Sequence, residues 1–203
     1  MQKALRPSSI IPPSFAVEGS WITDGDATVK VRSISRSSHC PSCGTVSSRV
    51  HSHYRRQIND LPLAGRSVKL IATVRRFRFE AVRCGQSIFA ERFLDGVVAP
   101  WARRTGRLDG LVHYLGLALG GRPAASFARR LMLPVSNDTL LRVVRRRGCP
   151  PVTPPTVIGI DDWAWRRNQR YGTIICDLER RRPISLLPDR ESATTQAWLA
   201  EQP

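Results

Sequence analysis

Two cysteines separated by two residues, Cys40 and Cys43, constrain the fold of this chain more than any other feature. The run CPSCG puts both thiols on one tight turn, and Gly44 lets the backbone amides turn towards the sulfur atoms. This arrangement is typical of a zinc knuckle. The next cysteine is Cys84, which follows a strand-like run at residues 68–79. We therefore expect a small β module in which Cys40, Cys43 and Cys84 are the candidate zinc ligands.

The expected zinc site lacks an evident fourth ligand, although structural zinc sites use four. A zinc ribbon would carry another cysteine a few residues before Cys84, and Phe79 stands in that place. His39, His51, His53 or a water molecule are the candidates to complete the site. The alternative is a knuckle without metal, because the number of ligands dominates affinity. Zinc is thus expected as the cofactor of a degraded site, or not at all.

The net charge predicts an anionic partner. The 203 residues include 32 lysines and arginines against 16 acidic residues, which gives a net charge of +16. Nucleic acid is the usual partner of such a chain, and double-stranded DNA is the expected one. An acidic membrane surface, a merely soluble basic surface and RNA are the alternatives, although an aromatic content of 7% offers few platforms for single-stranded RNA.

The sequence predicts no membrane segment. No run approaches the ~20 apolar residues of a membrane span, and the first residues do not resemble a signal peptide. We therefore expect an intracellular protein.

Changes in composition divide the chain into five segments, and the expected fold class is α+β with several modules. The segments are an N-terminal extension at 1–38, a zinc-ribbon-like β module at 39–93, a helical module at 100–147, a proline-rich linker at 148–156, and an α/β segment at 157–203. A short strand is expected at residues 27–31 of the extension.

Cations interleaved with β-forming residues mark the zinc-ribbon-like module. On a β-ribbon they are expected to form one basic face that contacts phosphate, with Tyr54 and Phe77 available for contact. The alternative is a solvated strand edge, which charges protect from aggregation. The expected DNA contacts are Arg55, Arg56, Arg75, Arg76 and Arg78.

Helical periodicity runs through residues 101–119, 123–131 and 137–147. Ser136 is expected to cap the third helix. A short helix, a tight turn and a helix with polar N-terminal residues together predict a helix-turn-helix, and a helical hairpin without a ligand is the alternative. The expected DNA-contacting residues are Asn137, Thr139, Arg142, Arg145 and Arg146.

The last segment opens with an apolar run that ends in two carboxylates, Asp161 and Asp162. Strand-like runs at 171–178 and 182–187 follow, and then a helix from about residue 189. This is the opening order of a ribonuclease-H-like fold, in which a carboxylate on the first strand can bridge two magnesium ions. By themselves, adjacent acids at a strand end are more often solvated turn residues.

The combined motifs resemble the transposases of the ISL-three insertion-sequence family. The matching runs are VRRF at 74–77, IFAER at 88–92, LALGG at 117–121, DTLLR at 138–142, GIDDWAWRR at 159–167, RYGT at 170–173, DLERRRP at 177–183 and LPDR at 187–190. The resemblance implies cutting and strand transfer at insertion-sequence ends, with magnesium held by an Asp, Asp, Glu triad. Asp161 matches the first acid, and Asp162 is the fallback assignment.

Two departures from the family pattern qualify the expected function. Phe79 replaces a cysteine of the ribbon, and no counterpart of the second Asp or the Glu precedes Pro203. We therefore expect a truncated transposase-family protein of the bacterial cytoplasm and nucleoid, which binds insertion-sequence ends but is inactive alone. The alternative is a DNA-binding regulator that competes with an intact transposase. The expected protein partner is a second copy or an intact transposase.

Overall fold

The computed structural model describes residues 10–78, 84–148, 153–166 and 169–202. The chain forms two compact units, Met1–Cys149 and Pro150–Pro203. The first unit contains a five-stranded sheet, a two-stranded sheet and three helices, and the second contains a three-stranded sheet and one helix. In these described ranges, no helix is long and apolar enough to cross a membrane. Phe79 and residues 149–152 of the expected linker lie outside the described residues.

The large sheet of the first unit combines strands from both sides of the cysteine knuckle. In chain order, the strands of this unit are β1 (Phe15–Thr23), β2 (Asp26–Ser33), β3 (Ser38–His39), β4 (Val46–Ser47), β5 (Val50–Leu63), β6 (Arg66–Arg78) and β7 (Ile88–Ala90). The sheet order is β1-β2-β6-β5, and β7 pairs with β6. Strands β2 and β6 are parallel, and the other neighbours are antiparallel. Strands β3 and β4 pair separately.

The strand expected at residues 27–31 is confirmed within β2. The expected boundary at residue 38, however, does not separate an extension from a β module. Strand β2 pairs with β6 over six positions, from the Ala27–Val68 pair to the Arg32–Thr73 pair, so residues before 38 complete the sheet of the module. A parallel pairing between distant strands leaves no local sign in the sequence.

Alternating apolar residues build the core under this sheet. In β6, every second residue is buried, and the positions are Val68, Leu70, Ala72 and Val74. They pack with Val31 of β2 and Ile58 of β5. Burying a side chain of this size stabilises the fold by ~1.5–3 kcal/mol, so the period-two pattern fixes which face of the sheet lies inside.

The three expected helices of the first unit are present. They are α1 (Gly106–Leu119), α2 (Arg122–Arg130) and α3 (Asn137–Arg147). Ser136 caps α3 as expected, because its hydroxyl accepts a hydrogen bond of 3.2 Å from the Thr139 amide. Helix α1 begins later than residue 101, since Thr105 caps it and Trp101 has a φ of 61°, outside the helical region.

Hydrogen bonds join the end of β5 to the start of α1. The amide of Asn59 donates to Arg103 O at 2.9 Å, and the amide of Thr105 donates to Asn59 O at 3.0 Å. The buried carboxylate of Asp60 accepts from Thr105 Oγ1 at 2.7 Å and from Arg107 Nε at 2.8 Å. The β module and the helical module, expected as separate segments, therefore belong to one compact unit.

The second unit begins with the three strands that the sequence predicts. They are β8 (Ile158–Arg166), β9 (Arg170–Asp177) and β10 (Arg182–Leu187), in the antiparallel order β10-β9-β8. Helix α4 (Ser192–Ala200) follows. The carboxylate of Asp177, which is fully buried, accepts from the Arg180 amide at 2.9 Å and from Arg180 Nη1 at 2.8 Å. These hydrogen bonds, the one from the backbone amide most of all, lower the pKa of Asp177.

Candidate functional site

The cysteine knuckle has the tight turn that its sequence predicts. The amide of Gly44 donates to Cys40 O, and the amide of Cys40 donates to Thr45 O, each at 2.9 Å. Gly44 has a φ of 73°, which a residue with a side chain adopts only with strain. The turn brings Cys43 close to Cys40, and the hairpin of β5 and β6 brings Cys84 to both.

The three sulfur atoms fit a tetrahedral zinc ion. The Sγ atoms of Cys40, Cys43 and Cys84 lie within 4.8 Å of one another, and those of Cys40 and Cys84 are 3.9 Å apart. Zinc–sulfur bonds of ~2.3 Å in a tetrahedron separate two sulfurs by ~3.8 Å. The predicted trio is therefore brought together at the spacing that zinc needs.

None of the candidate histidines joins this group. Among the described residues, the cysteine trio is the one cluster of at least three histidine, cysteine or acidic side chains close enough to hold a metal ion. His39, His51 and His53 are exposed and lie outside it. The structure thus leaves the fourth position to another ligand.

The environments of the Cys43 and Cys84 thiols shift their pKa values in opposite directions. The Thr45 side chain and then its backbone stabilise the thiolate of Cys43 and lower its pKa to about 7. At Cys84 the backbone amide of Gln86 lowers the pKa, but desolvation and the neighbouring Cys43 and Cys40 outweigh it and raise the pKa. Since zinc binds thiolates, the Cys43 thiol is better prepared for the metal than the Cys84 thiol.

An apolar base supports the knuckle. Phe77 and Phe89 stack with ring centroids 5.8 Å apart, and both pack with the buried Cys40. The expectation that Phe77 is available for contact with DNA is wrong, because its side chain is fully buried.

The arginines of β5 and β6 do not form one basic face. Arg55 and Arg56 are consecutive in β5, and Arg75 and Arg76 are consecutive in β6, so the members of each pair point to opposite faces of the sheet. The expectation of a single basic face is therefore corrected. Arg55 and Arg78 are exposed.

The other three of the five strand arginines expected to contact DNA, Arg56, Arg75 and Arg76, make contacts within the protein. Arg75 forms an ion pair with the buried Glu91, and its Nη2 also donates to Ser35 O at 2.6 Å. Arg56 Nη2 donates to Ala102 O at 2.6 Å. The guanidinium of Arg76 lies 4.9 Å from the ring centroid of Tyr54 and stays exposed. Arg75 and Arg56 thus have structural partners that a phosphate would have to replace.

Helix α3 presents a basic face to solvent. Leu140 and Val143 are buried against the other helices, whereas Arg142 and Arg145 are exposed on the opposite side. In the described part of the chain, no acidic side chain pairs with either arginine. By contrast, Arg146 Nη2 is 2.6 Å from Asp109 Oδ2 of α1.

The first turn of α3 is less open than expected. Asn137 and Thr139 are both half-buried. The Thr139 hydroxyl accepts a hydrogen bond of 3.0 Å from Ser136 Oγ. A shallow groove next to this turn is lined by both helices, with Arg122 and Arg129 of α2 at its rim and Asn137 on the α3 side.

The two acids of β8 lie on opposite faces of their strand, because they are consecutive. Asp161 pairs with Ile174 of β9, and its Oδ1 accepts from the Asp162 amide at 2.7 Å. The Asp162 carboxylate is 3.1 Å from Arg190 Nη1. Both side chains are exposed.

Two protein-family models match segments of this chain. The zinc-finger of transposase IS204/IS1001/IS1096/IS1165 matches residues 36–84, and a model described as Transposase, the DDE domain of the same family, matches residues 158–203. Residues 36–84 and 158–203 are thus similar to two domains of the ISL-three family of transposases. No curated protein and no solved structure matches the chain. The zinc-finger match covers the whole cysteine trio, and the Transposase match begins with β8 and includes Asp161.

The magnesium site that the ISL-three family implies is not assembled in the described part of this chain. Its triad needs three carboxylates close together, and no third acid joins Asp161 and Asp162 among the described residues. Two consecutive strand residues on opposite faces also cannot ligate one ion together. No catalytic step through magnesium follows from these residues.

Two features next to these sites are not expected from the sequence. One is the exposed pair Arg122 and Arg129 of α2, which the expected DNA contacts do not include. The other is Gln86, because amide side chains are rare zinc ligands. Its Oε1 lies 3.7 Å from Cys40 Sγ, and no spacing rule could have indicated this contact.

Proposed function

We propose that this chain binds double-stranded DNA at insertion-sequence ends as part of DNA transposition. The observation that carries the proposal is the outer face of α3, where Arg142 and Arg145 are exposed and unpaired among the described residues. When arginines without acidic partners neutralise phosphates, the DNA releases condensed counterions, and this release contributes a large part of the affinity for DNA. Because two segments of the chain are similar to transposase domains, we assign this DNA binding to transposition.

Helices α2 and α3 act in this proposal as a helix-turn-helix. The turn at residues 131–136 contains Leu133, which is buried with Leu140 and fixes α3 against α1 and α2. The N-terminal residues Asn137 and Thr139 then approach base edges, while the arginines contact the flanking phosphates. Arg122 and Arg129 of α2 add phosphate contacts beside the groove.

The β hairpin contributes a second, smaller contact. Arg55, Arg76 and Arg78 keep exposed guanidinium groups. Lys30 and Lys69 share the outer face of the sheet, but the first pairs with Glu18 at 3.2 Å and the second with Asp26. Arg76 and Arg78 share one face of the hairpin, whereas Arg55, which pairs with Thr73, lies on the opposite face. We therefore assign the phosphate contact of the sheet to Arg76 and Arg78, and not to Arg55 or the lysines.

Asp161 is the first acid of the catalytic triad in this proposal, and Asp162 is the fallback. Both acids are exposed at a strand of the segment that matches the transposase domain. A two-metal reaction needs further carboxylates. We expect the 203-residue chain by itself to bind DNA without strand transfer, as a protein of the bacterial cytoplasm acting on the nucleoid.

One observation favours a regulator as the second candidate. Every proposed DNA contact lies in the first compact unit, and the proposed catalytic acid lies in the second. DNA binding therefore needs no catalytic residue, and the chain could occupy insertion-sequence ends in competition with an intact transposase. Its protein partner would be that transposase or a second copy of itself.

Selection from a randomised duplex library, followed by fluorescence anisotropy, tests the proposal. We expect enrichment of one duplex, binding to it that weakens steeply with salt, and weaker binding to a scrambled duplex or to duplex RNA. Equal affinity for all three ligands would refute sequence-specific DNA binding. Incubation of the enriched duplex with the chain and magnesium then separates the two candidates, because Asp161-dependent strand transfer would refute a purely regulatory role.

A further inference from the structure

We infer that the side-chain amide oxygen of Gln86 is the fourth ligand of the zinc site. This assignment goes beyond the proposed function, since it concerns the metal and not the DNA. Cys40, Cys43 and Cys84 supply three sulfur ligands, and no candidate histidine joins them among the described residues. A structural zinc ion takes four ligands, so one more ligand is needed.

The geometry fits an oxygen ligand at this position. In a tetrahedral site, zinc bonds of ~2.3 Å to sulfur and ~2.1 Å to oxygen separate a sulfur from an oxygen by ~3.6 Å. Gln86 Oε1 is 3.7 Å from Cys40 Sγ. Together with the distance of 3.9 Å between the sulfurs of Cys40 and Cys84, two edges of the tetrahedron have the expected lengths before any metal is bound.

The backbone also holds Gln86 at the site. Its amide forms a hydrogen bond to the sulfur of Cys84, two residues earlier, and so turns the chain back over the knuckle. Strand β7 begins at Ile88 and pairs with β6, which anchors the other side of this short segment. The side chain of Gln86 is thus aimed at the thiols by contacts at both ends.

Among the described residues, the Thr45 hydroxyl is the other side-chain oxygen in contact with the thiols, and it is less suited to the fourth position. The Thr45 hydroxyl lies 3.3 Å from Cys43 Sγ and already stabilises the Cys43 thiolate. A hydrogen bond to a ligating sulfur is a supporting role around a metal, as in other metal sites. Gln86 therefore supplies the oxygen ligand, and Thr45 supports a sulfur ligand.

Three forms of the full chain test the assignment. They are Gln86→Ala, Gln86→Cys and the control Ser87→Ala, which alters the exposed neighbour. Competition with a chromophoric chelator gives the zinc dissociation constant, and cobalt(II) in place of zinc gives the sulfur-to-metal charge-transfer band. These measurements contain no DNA, so their outcome is independent of the proposed function.

Gln86→Ala should weaken zinc binding at least about tenfold, since even residues that only support metal ligands cost 10–100-fold when replaced. Gln86→Cys should tighten binding and increase the charge-transfer absorbance by about a third, because four thiolates replace three. The Ser87→Ala variant should match the unaltered chain. A Gln86→Ala variant with the zinc affinity of the control, or a Gln86→Cys variant with unchanged absorbance, would overturn the assignment.

The unaltered chain offers a readout that does not depend on variant folding. Gln57, exposed in the middle of β5, serves as an internal reference for nuclear magnetic resonance of glutamine side-chain amides. Titration with zinc should move the side-chain signals of Gln86 and leave those of Gln57 in place. Signals that stay together throughout the titration would exclude Gln86 as a ligand.

Discussion

Joint replacement of Arg142 and Arg145 by alanine tests whether the outer face of α3 contacts DNA phosphates. Each phosphate that the protein neutralises contributes ~0.9 to the slope of log K against log salt concentration. Arg142 and Arg145 are exposed and have no acidic partner among the described residues, so together they account for ~1.8 of the slope. Between 50 mM and 200 mM salt, the affinity of the unaltered chain should fall roughly 12-fold more than that of the double variant.

Fluorescence anisotropy of an enriched duplex at a series of salt concentrations measures this difference. Arg36→Ala removes one exposed charge from the loop after β2 and serves as the control for net charge. Arg146→Ala should change the slope by less than half of the change in the double variant, because Asp109 already pairs with Arg146 at 2.6 Å. Asp109→Asn should make the slope of log K against log salt concentration steeper. An unchanged slope in the double variant would remove α3 from the interface, and a larger effect of Arg146→Ala would refute the reasoning from ion pairs.

Three further predictions concern the framework that carries these surfaces. Gly116→Ala should destabilise the first unit by ~1–3 kcal/mol in urea unfolding. A Cβ at this position would lie 2.7 Å from Val144 Cγ2, and a valine in a helix has little rotamer freedom with which to move away. Unchanged stability would show that α1 and α3 can separate without cost. Glu91→Ala should cost ~3 kcal/mol in the same assay, since it leaves a largely buried arginine without its partner, and a cost below that of an exposed ion pair would contradict a structural role. Asp177→Asn should reduce the acid sensitivity of the second unit. Because the pKa of Asp177 is lowered in the folded state, its carboxylate stabilises the fold at pH values above the ordinary pKa of 3.8. This stabilisation is lost as the pH falls through the lower pKa of the folded state. Thermal unfolding from about pH 5 to about pH 2 should therefore show a smaller loss in the variant, and identical pH profiles would contradict this sign.

The parts of the fold that depend on local sequence were predictable. Helix α3 has the predicted bounds and Ser136 as its cap, because a cap and an apolar periodicity act within a few residues. The pairing of Cys40 with Cys43 was also predictable, since a knuckle is a local turn, whereas the β5–β6 hairpin brings Cys84 to this pair. In the second unit, the strand runs followed from their β-forming residues, although α4 begins at Ser192 instead of residue 189.

Long-range pairing limited the prediction of the DNA contacts. Arg75 meets Glu91 sixteen positions later, and Arg146 meets Asp109 thirty-seven positions earlier, so neither partner is evident from its neighbourhood in the sequence. The error about a single basic face has a different origin. The sequence already showed two consecutive arginines, Arg55 and Arg56, in a strand, and the two-residue period of a strand separates them.

The contacts between β5 and α1 determine what kind of DNA site the chain can read. Hydrogen bonds of Asn59 and Asp60 join β5 of the hairpin directly to the start of α1, which packs against α3 in the same compact unit. Under the proposed function, the hairpin arginines and the outer face of α3 contact the duplex at two points. The protein determines how far apart these points lie along the turn of the double helix. Inserting about five base pairs, half a turn of the double helix, between those points would carry one of them to the far side of the duplex. The proposed function therefore predicts that binding depends on the spacing of these two contact points along the insertion-sequence end.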